Sequence, residues 1–201
     1  MFEPAEGESR GLFVMAHGAG GNMSDRGMAA AARTFRNTGL DVLRFNFLYK
    51  ERKSGRPDRM PLLQATIEAV VAEARTRLSP ARLYIGGRSM GGRAASMLAA
   101  EGCASDGLIL LAYPLHPAGA PEKLRDAHLA AITQRVLCLN GTRDALCEKA
   151  LMERALTQVG ANWTMHWLEG ADHSFHVLKS SGRTDAQVME EVHGATAAWL
   201  S

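Results

Sequence analysis

Leu83-Tyr84-Ile85-Gly86-Gly87-Arg88-Ser89-Met90-Gly91-Gly92-Arg93-Ala94-Ala95-Ser96-Met97-Leu98 reads as a strand, a sharp turn and a helix in direct succession. The apolar run Leu83–Ile85 is the strand, and the small residues after Met90 suit a closely packed helix. Between them, Gly87-Arg88-Ser89-Met90-Gly91 has the form G-x-S-x-G. A serine on so tight a turn needs neighbours that are nearly free of side chain, and the turn lifts its hydroxyl above the end of a sheet. The pentapeptide alone is only moderately specific; the strand before it and the helix after it give it weight.

Working outward, short apolar runs recur at Leu12–Ala16, Val42–Phe47, Arg82–Ile85, Leu108–Ala112, Val136–Leu139 and Trp163–Leu168. Helical patterns lie between them, near Gly27–Asn37, Pro61–Leu78, Met90–Ala100, Leu124–Ile132 and Glu148–Val159, and a last one covers Asp185–Leu200. Most of the runs are continuously apolar, as strands buried on both faces are. The expectation is therefore an α/β fold: a compact, six-stranded, mostly parallel, doubly wound sheet with helices on both faces. The charge-rich stretch Lys50–Arg59 reads as a solvated connection, so residues 1–201 are expected to form one domain.

Composition sets limits on the partners. The chain has 201 residues, 46% of them apolar and 22% charged, with a formal net charge of +2 and no basic block. That is ordinary for a soluble globular protein, and it implies neither nucleic acid nor an anionic membrane surface as a partner. The N-terminus is acidic and polar, unlike a signal peptide. No apolar run approaches membrane-spanning length. Cys103, Cys138 and Cys147 are odd in number and lack metal-ligand spacing, so the expected setting is cytoplasmic, without disulfides. Oligomeric state is not readable from the chain.

In a doubly wound sheet, ligands bind beyond the carboxyl ends of the strands. The chemistry-bearing segments of this chain all follow strands. His17-Gly18-Ala19-Gly20-Gly21 follows the first, Ser89 the third and Tyr113-Pro114-Leu115-His116 the fourth. Gly141-Thr142-Arg143-Asp144 follows the fifth, and Gly170-Ala171-Asp172-His173 the sixth. A serine hydroxyl needs a base, and the base needs a carboxylate to hold its tautomer. His173 is read as the base in preference to His176, and Asp144 as the carboxylate. The other reading of Asp144 is an N-cap for the helix that starts near Glu148. Asp172 adjoins His173, but adjacent loop side chains diverge. The order Ser89, Asp144, His173 is the one that accompanies such an elbow.

A developing oxyanion needs preorganised N–H donors. The Met90 amide supplies one, and the turn after the first strand supplies the other, from Ala19 or Gly20. Gly18-x-Gly20 also begins a dinucleotide fingerprint, but Met23 holds the third glycine position and Asn46 stands where an acidic residue is required. His173-x-x-His176 lacks a third ligand cluster for a metal. No cofactor is expected, and the expected partner is a small-molecule substrate.

These residues resemble the α/β-hydrolase superfamily. Within it, the chain is similar to small bacterial predicted hydrolases related to dienelactone hydrolases and to the testis-expressed and chromatin-complex hydrolase-like group. The resemblance is carried by His17–Gly21, Phe45-Asn46-Phe47, Gly86–Arg93, Tyr113–Pro117, Pro121–Arg125, Gly141–Asp144 and Asp172-His173-Ser174-Phe175, and it spans nearly the whole chain. It implies a serine hydrolase with a Ser89–Asp144–His173 triad, an oxyanion hole at Met90 and Ala19, and a compact sheet without the first two strands of larger relatives. Leu48 departs from the pattern where a proline is expected, as does Ala145-Leu146-Cys147 after the acid.

Ala112 to Val136 has room for little more than one helix, so no substantial lid is expected and the site should be open. Tyr113, His116 and Phe175 are expected to line it, with Asn46 and Tyr49 nearby. Arg88 would either steer an anionic acyl group or pair with a carboxylate. The leading expectation is a carboxylesterase-like hydrolase of small or exposed esters or thioesters. A non-catalytic interaction module on this scaffold and an acyltransferase are the alternatives.

Overall fold

In the computed structural model, which describes residues 1–160 and 162–201, seven strands form one sheet. They are β1 (Phe2–Glu3), β2 (Leu12–Ala16), β3 (Asp41–Arg44), β4 (Leu83–Arg88), β5 (Gly107–Leu111), β6 (Val136–Gly141) and β7 (Trp163–Leu168), in the order β1-β3-β2-β4-β5-β6-β7. Every pairing is parallel except that of β1, which runs antiparallel to β3. The alternation of patterns predicts six strands; β1 is the addition. Two residues carry no periodicity to read, and this strand is held by terminal contacts. The N-terminal ammonium of Met1 donates to the Arg44 carbonyl at 2.7 Å, and Glu3 pairs with Arg44 at 2.7 Å.

Helices α1 (Arg26–Asn37) and α6 (Asp185–Leu200) cover one face of the sheet. Helices α3 (Met60–Leu78), α4 (Met90–Ala100) and α5 (Lys149–Leu156) cover the other. The short helix α2 (Leu48–Glu51) follows β3. Successive strand residues point to opposite faces, so Phe13 and Met15 pack with Phe35 and Val188, while Val14 and Ala16 pack with Ile67 and Leu98. This explains why the strands read as unbroken apolar runs. On α1, Met28, Ala31, Ala32 and Phe35 are buried at helical spacing. A capping box of Thr184 and Gln187 starts α6, satisfying two of its orphan N–H groups.

The helix predicted near Leu124–Ile132 shrinks to a single 3-10 turn, Leu129–Ala131. Before it, the Arg125 N–H is committed to the Leu115 carbonyl at 2.7 Å. His128 is held through its ring: Nε2 lies 2.8 Å from Ser96 Oγ on α4 and 3.4 Å from the Tyr113 hydroxyl. The stretch is thus ordered by α4 rather than by its own helix, and among the described residues no lid-like domain stands over the strand ends. Lys50–Arg59 begins as part of α2 rather than as a plain loop. No helix among the described residues is long and apolar enough to cross a membrane.

Burial, followed by the charge of Arg93, pushes the His128 imidazole from 6.5 down to about 4. The unfolded chain then binds the proton more readily than the folded one. The contribution of this group to stability is fully present above pH 6.5 and is lost as the pH falls through about 4. Urea midpoints followed by tryptophan fluorescence should fall across that window, and His128→Gln should flatten the slope.

Candidate active site

Ser89 stands between β4 and α4 with φ 51° and ψ −117°, a left-handed conformation that costs a non-glycine residue about 1–3 kcal/mol. Its surroundings hold it there. Its N–H donates to the Leu111 carbonyl at 2.8 Å, and its own carbonyl accepts from Arg93 N at 2.9 Å. A Cβ on Gly87 would stand 2.1 Å from the Ala16 carbonyl oxygen, and one on Gly91 2.6 Å from that of His17. The elbow therefore rests directly on the end of β2. A serine before a helix commonly caps it with its side chain, yet Ser89 makes no such bond to α4. The hydroxyl points elsewhere.

It points to His173. Nε2 of that ring lies 2.9 Å from Ser89 Oγ, and Nδ1 lies 2.9 and 2.8 Å from the two oxygens of Asp144. With Nδ1–H donating to the carboxylate, Nε2 is left as the acceptor facing the hydroxyl. The Asp144 side chain is 0% exposed and that of His173 29%: the carboxylate is shut away while the imidazole edge reaches the cleft. Asp144 also accepts from Leu146 N at 2.8 Å and Asn140 Nδ2 at 3.3 Å. It does not cap α5, which starts after Glu148. Asp172 diverges as expected, its Oδ1 accepting from Ser174 N and His176 N at 2.7 and 3.0 Å. His176 pairs instead with Asp185, 2.9 Å away.

The Gly18–Gly21 turn borders the same cleft of about 510 Å³, with Gly27, Met28, Arg88, Ser89, Leu146 and His173. Ala19 and Ser89 thus border one cleft, and Met90, opening α4, has an N–H with no partner one turn earlier. An α4 N-terminus also favours negative charge at that spot.

Of the expected lining residues, only Arg88 faces this cleft. Tyr113, His116 and Phe175 are 0%, 1% and 3% exposed. The Tyr113 hydroxyl is spent on the Arg125 carbonyl at 3.0 Å. His116 clasps two loops: Nδ1 meets the Pro117 carbonyl at 3.0 Å, and Nε2 accepts from Glu148 N at 3.1 Å. Phe175 lies under the Arg88 guanidinium, whose Cζ is 5.0 Å from the ring centroid. Asn46 holds a turn, accepting from Met23 N at 2.8 Å and donating to Glu51 at 2.8 Å. It borders a separate apolar groove of about 530 Å³ that shares no lining residue with the cleft at Ser89. The aromatic rings are core, and the cleft wall combines the Gly18–Gly21 turn and Gly27 with Asp25, Met28, Arg88, Leu146 and Ser174. Arg88 stands on the cleft wall while its Nη2 donates to the His173 carbonyl at 2.6 Å, which tethers the histidine loop to β4. Burial lowers its pKa, against the raising influence of Asp144 and Asp172.

Asn140, which the sequence does not single out, and His17, whose ring role it does not give, matter here. Asn140, on β6, is fully buried. Its Oδ1 accepts from Tyr113 N at 2.9 Å, and its Nδ2 donates to the Tyr113 carbonyl at 3.2 Å as well as to Asp144. His17 is buried too, with its ring bonded to the backbone on both nitrogens. A polar side chain inside an apolar strand run was the available signal for Asn140, since buried amides need partners.

Residues 9–201 match the model of a family described as alpha/beta hydrolase domain. Among solved structures, an alpha-beta serine hydrolase homologue from Coxiella burnetii is similar, with 20% identity and a TM-score of 0.80 over 100% of this chain and 90% of that one. A lidless α/β serine hydrolase from Xanthomonas campestris aligns at 20% identity and a TM-score of 0.77, over 98% of this chain and 87% of its own. A dienelactone hydrolase from Anabaena variabilis aligns at 19% identity and a TM-score of 0.73, over 98% and 88%. At these identities the likeness is one of fold.

Asn140→Leu should lower the unfolding free energy by about 3 kcal/mol, because both backbone groups of Tyr113 lose a buried partner. Urea denaturation measures it, and a loss below about 1 kcal/mol would show that these bonds are replaceable.

Proposed function

Because the chain belongs to the alpha/beta hydrolase domain family, we propose that it is a serine hydrolase of small or exposed esters or thioesters, acting through Ser89, His173 and Asp144. The observation that carries this reading is the unbroken hydrogen-bond chain from Ser89 Oγ through the His173 ring to the buried Asp144 carboxylate.

In the first half-reaction His173 Nε2 takes the hydroxyl proton as Ser89 Oγ bonds to the acyl carbon. The carbonyl π-electrons move onto oxygen, and the Met90 and Ala19 N–H groups stabilise that charge. Collapse expels the alcohol or thiol, which leaves with the proton held on His173. Water then repeats the sequence on the acyl-enzyme: His173 accepts its proton, the acid departs and Ser89 regains its hydrogen. Asp144 keeps the Nδ1 proton in place and stabilises the imidazolium in between.

The walls support the substrate class. Gly18, Gly20, Gly21 and Gly27 line the cleft, leaving backbone close to the ligand, and no lid-like domain encloses a long chain. A burial of Asp144 this complete weighs against a non-catalytic module, since an unused carboxylate in that position is a cost without return. The three free cysteines, two of them buried, support a reducing compartment as the setting.

Intact-mass analysis with a fluorophosphonate should give one adduct on wild-type protein and none on Ser89→Ala. Asp144→Asn should lower turnover of p-nitrophenyl acetate by about 10³- to 10⁴-fold. Absence of an adduct on folded wild-type protein would overturn the reading.

A further inference from the structure

Tyr49, expected near the site, is carried by α2 and ends against the turn that borders the cleft at Ser89. Its ring is buried, stacked on Phe47 at 6.4 Å and 16°, with the His17 ring 5.9 Å away. Its hydroxyl donates to the Ala19 carbonyl at 2.7 Å. Burial, then the charges of Asp58 and Asp25, push that hydroxyl up to about 12, so it keeps the proton it donates. The charged stretch after it secures its position: Asp58 accepts from Tyr49 N at 3.0 Å and pairs with Arg52 at 2.5 Å.

The neighbouring peptide is held the same way. Phe47 N–H donates to His17 Nε2 at 3.2 Å, which makes that nitrogen an acceptor and leaves the proton on Nδ1. Nδ1 then donates to the Gly18 carbonyl at 2.8 Å. In a trans peptide the N–H points opposite the C=O. The bond to the Gly18 carbonyl therefore sets the direction of the Ala19 N–H, and the bond to the Ala19 carbonyl sets that of the Gly20 N–H. Glycines on both sides of Ala19 leave this turn with little stiffness of its own.

We propose that the Tyr49 hydroxyl, with the neutral His17 ring beside it, is a positioning group for the oxyanion turn: it touches no substrate and acts by locking two successive peptide planes from the carbonyl side. The proposal rests on the hydrolase reading. It also gives Lys50–Arg59 a purpose, which is to seat Tyr49.

The test is Tyr49→Phe, which keeps the ring and its stacking and removes only the donor. With p-nitrophenyl acetate, kcat should fall about 10- to 100-fold while KM stays within about two-fold, since a misaimed donor weakens the transition state and not the ground state. His17→Asn, whose Nδ2 can stand where Nδ1 does, should retain more of kcat than His17→Leu. An unchanged kcat in Tyr49→Phe, or a loss confined to KM or to thermal stability, would overturn the positioning role while wild-type activity leaves the hydrolase reading intact. Wild-type protein that neither turns over the ester nor takes a fluorophosphonate would overturn both.

Discussion

Where the β4–α4 turn crosses the end of β2, nothing larger than a hydrogen atom fits at Gly87 or Gly91. That contact sets the height of Ser89 above the sheet. The turn cannot relax downward, because the backbone of Ala16 and His17 is already there, so Ser89 stays in a conformation that a serine in free solution would leave. The hydroxyl is consequently presented at one place. His173, Asp144 and the Gly18–Gly21 turn are arranged around that place by the strands that precede them.

Rigidity at the rim comes from buried polar side chains rather than from more apolar packing. Asn140 bridges the end of β6 to Tyr113 and to Asp144. His116 joins its loop to Glu148. Arg88, within the elbow, ties it to the His173 backbone. Each bond connects loops from different strands, and each lies where an unpaired group would be costly. A serine–histidine hydrogen bond is only useful if the two loops carrying it do not drift, and this lattice of clasps supplies that constraint without a lid or a disulfide.

Much of the fold was legible because its signals are local. The bounds of β2, β7, α4 and α6 coincide with runs that alternate or recur at the expected period, and the segments that bear Ser89, Asp144 and His173 follow strands whose parallel order places their ends together. The errors fall where pattern is short or contacts are distant. β1 has two residues and depends on Met1 and Glu3 reaching Arg44. The stretch Leu124–Ile132 has helical spacing, but its Arg125 N–H goes to the Leu115 carbonyl and only a single turn forms. Tyr113, His116 and Phe175 were expected in the cleft because they sit beside site motifs; the chain turns their side chains inward, and the Gly18–Gly21 turn with Asp25, Met28 and Leu146 borders the cleft instead.

The residue order by itself determined that the chain would wind a parallel sheet between two helical layers, since continuous apolar strands tolerate no other burial, and that a serine would stand on a glycine-flanked turn. It determined the kinds of group available at the rim. Which faces those groups present was decided only by tertiary structure. Side-chain direction in a loop depends on hydrogen bonds to segments far away in the chain, as Tyr49 with Ala19 and Asn140 with Tyr113 show, and no local spacing encodes a partner about thirty residues distant.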